Sequence, residues 1–406
     1  MRFARINTVA PEYIRYFYGK HRPLRHAPYR TQFEALMWDS YMQPDSYTHY
    51  LKELGYESLE VIANVQSLQR RWCLENGFCW DAADFVESVA LEQMRRFRPE
   101  VVLMVNYRIF NEAWVRRLRE QCHSVRHVMT WCGVNLETYA PLRGYDTVLT
   151  CNEYLAREMR RAGVNVTVVP FGFDQRILSR INAERPPSLE LVFAGLVRRN
   201  DGFHGERARF LEQVSEEFDL TVFTDNRTPS RVERYARQAL FDTARCLQQI
   251  GLGSMCRLPG LRNAARWTQR PAFPSEAPMW RRVRRGVYGL DYFQTLRDAK
   301  ISLNVHPDCA GWAASNIRLF EATGVGTCLI TDWKDNLGQF FEPDSEIVTF
   351  KSPTECLEKL RWLVAHPEGR KRIAEAGQQR TLKQHNYMNV ARALDAIIEQ
   401  AALVHG

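Results

Sequence analysis

The chain has 406 residues, of which 45% are hydrophobic and 25% charged, and a net charge of +8. Single cores stop growing at roughly 250–300 residues, so two domains are expected. The composition excludes a largely disordered chain. Eight arginines between residues 257 and 285 stand against one acid, Glu276, so the excess charge is local and no nucleic-acid partner is expected.

The N-terminal stretch MRFARINTVAPEYIRYFYG is interrupted by Arg2 and Arg5 and has no apolar h-region of a signal peptide. No window reaches about 18 apolar residues, so a cytoplasmic protein is expected. Most cysteines lie inside apolar runs (Cys132, Cys151 and Cys328 among them), and Cys73 and Cys79 form a lone pair. They read as buried free thiols, since a structural zinc site needs four spaced ligands.

In chain order, residues 3–7 read as a buried strand, 45–54 as a helix and 58–64 as a strand. Residues 82–97 have helical periodicity and stop before Pro99. VVLMVN (101–106) is a strand without polar alternation, 111–122 an amphipathic helix, 126–131 and 146–151 strands, 152–163 a helix ending at Gly163, and 166–172 a strand. Strands apolar on both faces, alternating with helices, predict a parallel sheet covered on each side. No Gly-x-Gly-x-x-Gly turn argues for a dinucleotide cofactor. Residues 173–190, polar and holding Pro186 and Pro187, read as a linker. The alternation then restarts: strand 189–196, helix 204–217, strand 220–225, an irregular basic insertion over 226–289, strand 300–307, helix 316–324, strands 327–333 and 346–350, and helices to the end. The prediction is two doubly wound α/β halves with a ligand in the cleft between them.

Ligands of open parallel sheets sit beyond the carboxyl ends of the strands. There the second half carries Gly195, Asp225, His306, Asp308 and Asp332. The densest signal is LNVHPDCAGWAASNIRLFEATGVGTCLITD. Arg318 and Glu321, three apart, share a helix face. A guanidinium suits a diphosphate and a carboxylate suits vicinal hydroxyls; the alternative is a surface ion pair without function. In the first half Glu12 follows the first strand and could act as a base, though an acid after Pro11 is also an ordinary first-turn residue. His306 could contact either substrate or be a satisfied core histidine. Asp332 reads as a cap for the next turn. Trp267, Phe273 and Trp280 among the arginines of 257–285 suit either an anionic membrane surface or a loop packed on its own domain.

The string RLFEATGVGTCLITD resembles the Arg-x-Phe-Glu-Ala…Gly signature of GT-B glycosyltransferases, especially the CgeB-type (spore-maturation-protein-like) branch of family-1-type enzymes. The resemblance is strong over 291–392 and weaker over 131–174 and 193–211. It implies a GT-B architecture of two facing Rossmann-like domains. Residues 1–178 would form the acceptor domain and 188–385 the nucleotide-sugar domain with its insertion 226–289. Residues 386–406 would form a helix returning to the N-terminal domain. It implies a metal-independent hexosyltransferase without a cofactor. The donor would be a UDP- or GDP-linked sugar and the acceptor a saccharide, lipid-linked or protein hydroxyl. Residues 257–285 would then meet the inner face of the membrane. By the same resemblance Glu321 holds the donor ribose and Arg318 precedes it. Gly195, His204 and Arg207 lie beside the diphosphate, and Gly324 completes the donor-binding set. Glu12 and His306 are the catalytic candidates. Many retaining relatives carry a second Glu eight positions before the ribose Glu. Here that position is Ala313, which leaves inversion and retention open. It also leaves two alternatives: a GT-B nucleotide-sugar epimerase, or a non-catalytic nucleotide-sugar-binding protein.

Overall fold

A computed structural model describes residues 1–42, 44–80, 83–197, 205–225, 231–258, 260–265, 267, 270 and 278–405. In chain order the first half runs β1 (Arg2–Asn7), α1 (Pro11–Lys20), α2 (Tyr29–Asp39), α3 (Ser46–Glu53), β2 (Glu57–Ile62), α4 (Gln66–Glu75), α5 (Phe85–Phe97), β3 (Val101–Met104), α6 (Glu112–Gln121), β4 (His127–Trp131), β5 (Thr147–Thr150), α7 (Glu153–Arg161) and β6 (Val166–Val168). The second runs β7 (Leu189–Ala194), α8 (Gly205–Glu217), β8 (Leu220–Thr224), α9 (Arg231–Gln249), α10 (Leu261–Ala264), α11 (Met279–Arg282), β9 (Val283–Arg285), α12 (Gly289–Arg297), β10 (Ala299–Asn304), α13 (Arg318–Gly324), β11 (Cys328–Asp332), β12 (Val348–Phe350), α14 (Pro353–Ala365), α15 (Pro367–Gln384) and α16 (Tyr387–His405). Two six-stranded sheets result, in the orders β2-β1-β3-β4-β5-β6 and β12-β11-β10-β7-β8-β9. By contact density the chain divides into one unit of Met1–Phe193 with Val287–Gly406 and a second of Ala194–Gly286. The division therefore does not fall at the linker, and both halves contribute to the first unit.

Successive residues of the first sheet point to opposite faces, and both faces are buried, as a parallel sheet requires. Ala4, Val102, Met104, Val128 and Val148 pack against α5, α6 and α7. Their neighbours Phe3, Val101, Leu103, Met129 and Leu149 pack against α3 and α16. The helix α16 reaches this sheet through Tyr387, Val390, Ala391, Leu394 and Ile398. At each apolar side chain, burial contributes on the order of 1.5–3 kcal/mol. Register sets two charged pairs between β1 and β2: Arg2 opposite Glu57 near the surface, and Arg5 opposite Glu60 inside. The inner pair is the costly one. Its side chains meet at 3.1 Å with only 6% and 2% exposure. Burial pushes the Glu60 carboxyl up, and Arg5 pulls it back.

The Ala194–Gly286 unit corrects the expectation of an irregular insertion. Residues 231–249 form one 19-residue helix, α9. Leu240, Ala244 and Leu247, spaced along one face, close over Cys256 and Ala264. Val283–Arg285 form a short strand parallel to β8. Several basic and aromatic residues here have partners: Arg270 meets Asp242 at 2.6 Å, Arg282 meets Asp219 at 3.2 Å, and Trp280 donates to Glu212 at 2.8 Å. Among the described residues no helix is long and apolar enough to cross a membrane. Seven of the ten cysteines are buried and all ten are free; Cys79 and Cys246 are exposed.

Candidate functional site

In the Met1–Phe193/Val287–Gly406 unit, the ends of β10 and β11 and the first turn of α13 collect the polar residues that sequence reasoning singled out. Asn304 closes β10 fully buried. Its amide donates to Thr331 Oγ1 at 3.0 Å, and its carbonyl oxygen accepts from Asn316 at 2.7 Å. Asn316 in turn accepts from the Arg318 backbone N–H at 3.1 Å. This Asx turn fixes where α13 begins. Arg318 lies over the Phe193 ring at 5.7 Å.

Glu321 is 3% exposed, so the surface-ion-pair alternative does not describe it. Arg318 and Glu321 meet through a third group, the Tyr292 hydroxyl on α12. It donates to Glu321 Oε2 at 2.7 Å and receives Arg318 Nε at 3.3 Å. Burial raises the Glu321 carboxyl above its ordinary range, against the pull of Tyr292 and Arg318. A buried carboxylate that keeps two polar partners is costly to fold and points to a task.

His306 and Asp332 form a second pair. Asp332 Oδ1 accepts the His306 backbone N–H at 2.8 Å and lies 2.7 Å from Nδ1. Burial would raise Asp332, but the His306 hydrogen bond and charge, with Lys334 nearby, hold it below its usual value. An ionised Asp332 only accepts, so Nδ1 carries the proton and a neutral ring has its lone pair on Nε2. Nε2 is buried and, among the described residues, has no hydrogen-bond partner. Asp332, expected to cap a turn, instead orients this histidine.

The other candidates are placed as follows. Glu12 lies in the first turn of α1, 44% exposed at its side chain and paired with Arg15 at 2.9 Å; its setting is that of the ordinary first-turn residue. Gly324 owes its identity to packing, because a Cβ there would fall 2.3 Å from the Phe173 ring. In the Ala194–Gly286 unit, the Gly195 N–H bonds Phe223 O at 2.9 Å, and the mostly buried Arg207 donates to Leu196 O at 3.2 Å. His204 lies outside the described residues. Among the described residues no cluster of three or more His, Cys, Asp or Glu side chains could hold a metal ion.

Two contacts between the halves of the larger unit frame the site. Asn152, after β5, donates to the carbonyls of Ala310 at 3.0 Å and Ala313 at 3.3 Å and to Ser315 Oγ at 2.9 Å. The loop that holds Ala313 is thus fixed by the first half, and Ala313 itself is fully buried. Further along, Asp39 meets the start of α12. It accepts from Tyr13 at 2.9 Å and from the Leu290 backbone N–H. A side chain at Gly289, which has φ +57°, would run into this carboxylate. Burial leads the causes that push Asp39 up to about 6. With a folded pKa above the unfolded value, this group's stabilising contribution is full below about pH 4 and lost as pH rises through about 6. Asp39→Asn is therefore expected to be more stable than the wild type by about 2 kcal/mol at pH 8 and equal to it near pH 4. Urea unfolding at the two pH values measures this.

Comparisons with known proteins bear on the fold. Sucrose-phosphate synthase from Thermosynechococcus elongatus is 11% identical, with a TM-score of 0.52 and 100% of each chain covered. Anabaena Alr3699/HepE, solved in complex with UDP-glucose, is 9% identical with a TM-score of 0.53, over 98% of this chain and 100% of that one. A glycosyltransferase from Rickettsia africae ESF-5 is 10% identical with a TM-score of 0.53, over 99% and 98%. The fold is that of the GT-B glycosyltransferases. Residues 227–396, which include the Arg318–Glu321 turn, match the family described as Glycosyl transferase-like. No curated protein matches the sequence.

Proposed function

We propose that this GT-B chain is a glycosyltransferase that moves a hexose-type sugar from a nucleotide-sugar donor to an acceptor hydroxyl. The observation that carries the reading is the buried Glu321 carboxylate, held beside Arg318 on the turn after β10, inside the glycosyl transferase-like segment. Glu321 would accept the ribose hydroxyls of the donor and Arg318 would meet its diphosphate. Gly195, His204 and Arg207 are proposed on the diphosphate side, where backbone and basic groups can stabilise the leaving group without a metal. Of the two catalytic candidates, His306 has a ring oriented by a carboxylate, as a proton acceptor needs. The donor is proposed to be UDP- or GDP-linked and the acceptor a saccharide, lipid-linked or protein hydroxyl. A CgeB-like subtype rests on the RLFEATGVGTCLITD string. A lipid-linked acceptor would bring residues 257–285 to an anionic membrane surface.

The test is a thermal-shift series of UDP, GDP and their sugars on the wild type and on Glu321→Gln. At 100 times its dissociation constant a ligand stabilises by about 2.7 kcal/mol, which raises the melting temperature by several degrees. One diphosphate should stabilise the wild type by clearly more than it stabilises the variant. Without ligand, Glu321→Gln should melt at or above the wild type, because a buried charge has been removed. Absence of any nucleotide response in the wild type would sink the donor assignment.

A further inference from the structure

Tyr292 lies on α12, 29 positions before Glu321, and reaches it across the packed end of β10. Its hydroxyl has one proton and gives it to Glu321 Oε2. Among the described residues Oε1 accepts no hydrogen bond, and it is not among the buried unpartnered atoms. One oxygen of the carboxylate is thus fixed and the other remains available. The same hydroxyl receives Arg318 Nε, so a single group sets the direction of both side chains assigned to the donor.

We propose that Tyr292 is a positioning residue for recognition of a nucleoside diphosphate: by holding Oε2 it aims Glu321 Oε1 at a ribose hydroxyl. This rests on the donor-site reading above. A neutral carboxyl would lose the charge that makes it a strong acceptor. Removing the Tyr292 proton donor leaves the buried Glu321 with less support for its charge, so the carboxyl protonates at higher pH. Tyr292 itself need not touch the ligand; its effect passes through Glu321.

The experiment is a double-mutant cycle on the full chain with UDP and GDP as probes, using Tyr292→Phe, Glu321→Gln and the double variant. Binding is followed by calorimetry, and each variant's fold by its melting curve. Tyr292→Phe keeps the ring and removes only the hydroxyl. It is expected to weaken binding of the diphosphate that the wild type prefers by about tenfold or more at pH 7. The loss should shrink as pH rises and Glu321 ionises again. In the Glu321→Gln background the Tyr292→Phe change should add little further loss. Equal binding by Tyr292→Phe and wild type would overturn the proposal, and so would a loss of the same size in both backgrounds, which is the signature of a structural role. If Tyr292→Phe does not fold, Tyr292→His, which restores a hydrogen-bond donor, takes its place. Full loss of binding in a folded Tyr292→His variant with no recovery at high pH would then count against the proposal. A wild type that binds neither UDP nor GDP overturns both this inference and the donor reading.

Discussion

Arg176→Ala is expected to lower the unfolding free energy by about 3 kcal/mol at pH 7, with that loss disappearing only as the pH falls below the usual aspartate range. The residue sits in the short turn after Phe173, where the chain leaves the first half. Its guanidinium grips Asp174 with Nε at 2.9 and 3.0 Å and Asp45 with two bonds at 3.1 and 2.8 Å. It also makes a close contact from Nη2 to Asp174 Oδ2. Asp174 is only 3% exposed and also accepts from Ser46 and Tyr50. Burial alone would raise its carboxyl, but Arg176 outweighs burial and holds it below the usual range. A group with a depressed folded pKa stabilises above its unfolded pKa and loses that contribution as pH falls through the folded one. Without Arg176, Asp174 keeps its desolvation and loses its cation, the arrangement that makes half of a buried pair so costly. Urea unfolding of wild type, Arg176→Ala and Arg176→Ala/Asp174→Asn measures this. The double variant should recover stability at pH 7, since no buried charge is then left over. A single variant within about 0.5 kcal/mol of the wild type would show the network to be worth no more than an exposed pair.

This network also shows how much of the fold the sequence carried. Runs such as VVLM were legible because a strand covered on both faces must be apolar throughout, and β3 is buried at all four positions. The Arg318–Glu321 turn was legible because three-residue spacing places both side chains on one helix face. The helices α1 and α2 carry mixed aromatic and basic residues, whose core-facing members Tyr13, Phe17, Leu36 and Met37 become a pattern only once they meet. The helix α9 was hidden by the charge that dominates its stretch. Tyr292 had no local signal at all. Its partner lies on another helix, and only packing brings a hydroxyl to that carboxylate. Asp332 was misread for the same reason: local chemistry offered it a turn to cap, whereas the parallel pairing of β10 and β11 sets it beside His306. Gly324 went the other way, its signal being real and its cause lying elsewhere in the chain.

That cause gives the prediction with the widest reach. Gly324→Ala should destabilise the chain by about 3 kcal/mol and weaken nucleotide binding in whatever fraction still folds. A Cβ at this position would lie 2.3, 2.5 and 2.6 Å from Phe173 ring atoms, so something must move. Phe173 cannot withdraw easily. It is fully buried, its N–H bonds His385 O at 2.8 Å, and its carbonyl accepts the Tyr387 N–H at 3.2 Å. Its ring also meets Phe293 edge-on at 6.2 Å. The strain therefore falls on α13, which is braced on its far side where Thr323 and Thr381 share a hydrogen bond of 2.6 Å. Since α13 carries Arg318 and Glu321 in its first turn, a shift that relieves Phe173 also moves both away from Tyr292. Phe173→Leu should separate the two effects. It removes atoms from the crowded side, so Gly324→Ala should cost clearly less in that background than in the wild type. If instead Gly324→Ala costs the same in both backgrounds, the Phe173 ring is not what excludes a side chain at 324. If Gly324→Ala melts normally yet loses nucleotide binding, the glycine serves the donor directly, as the family resemblance implied.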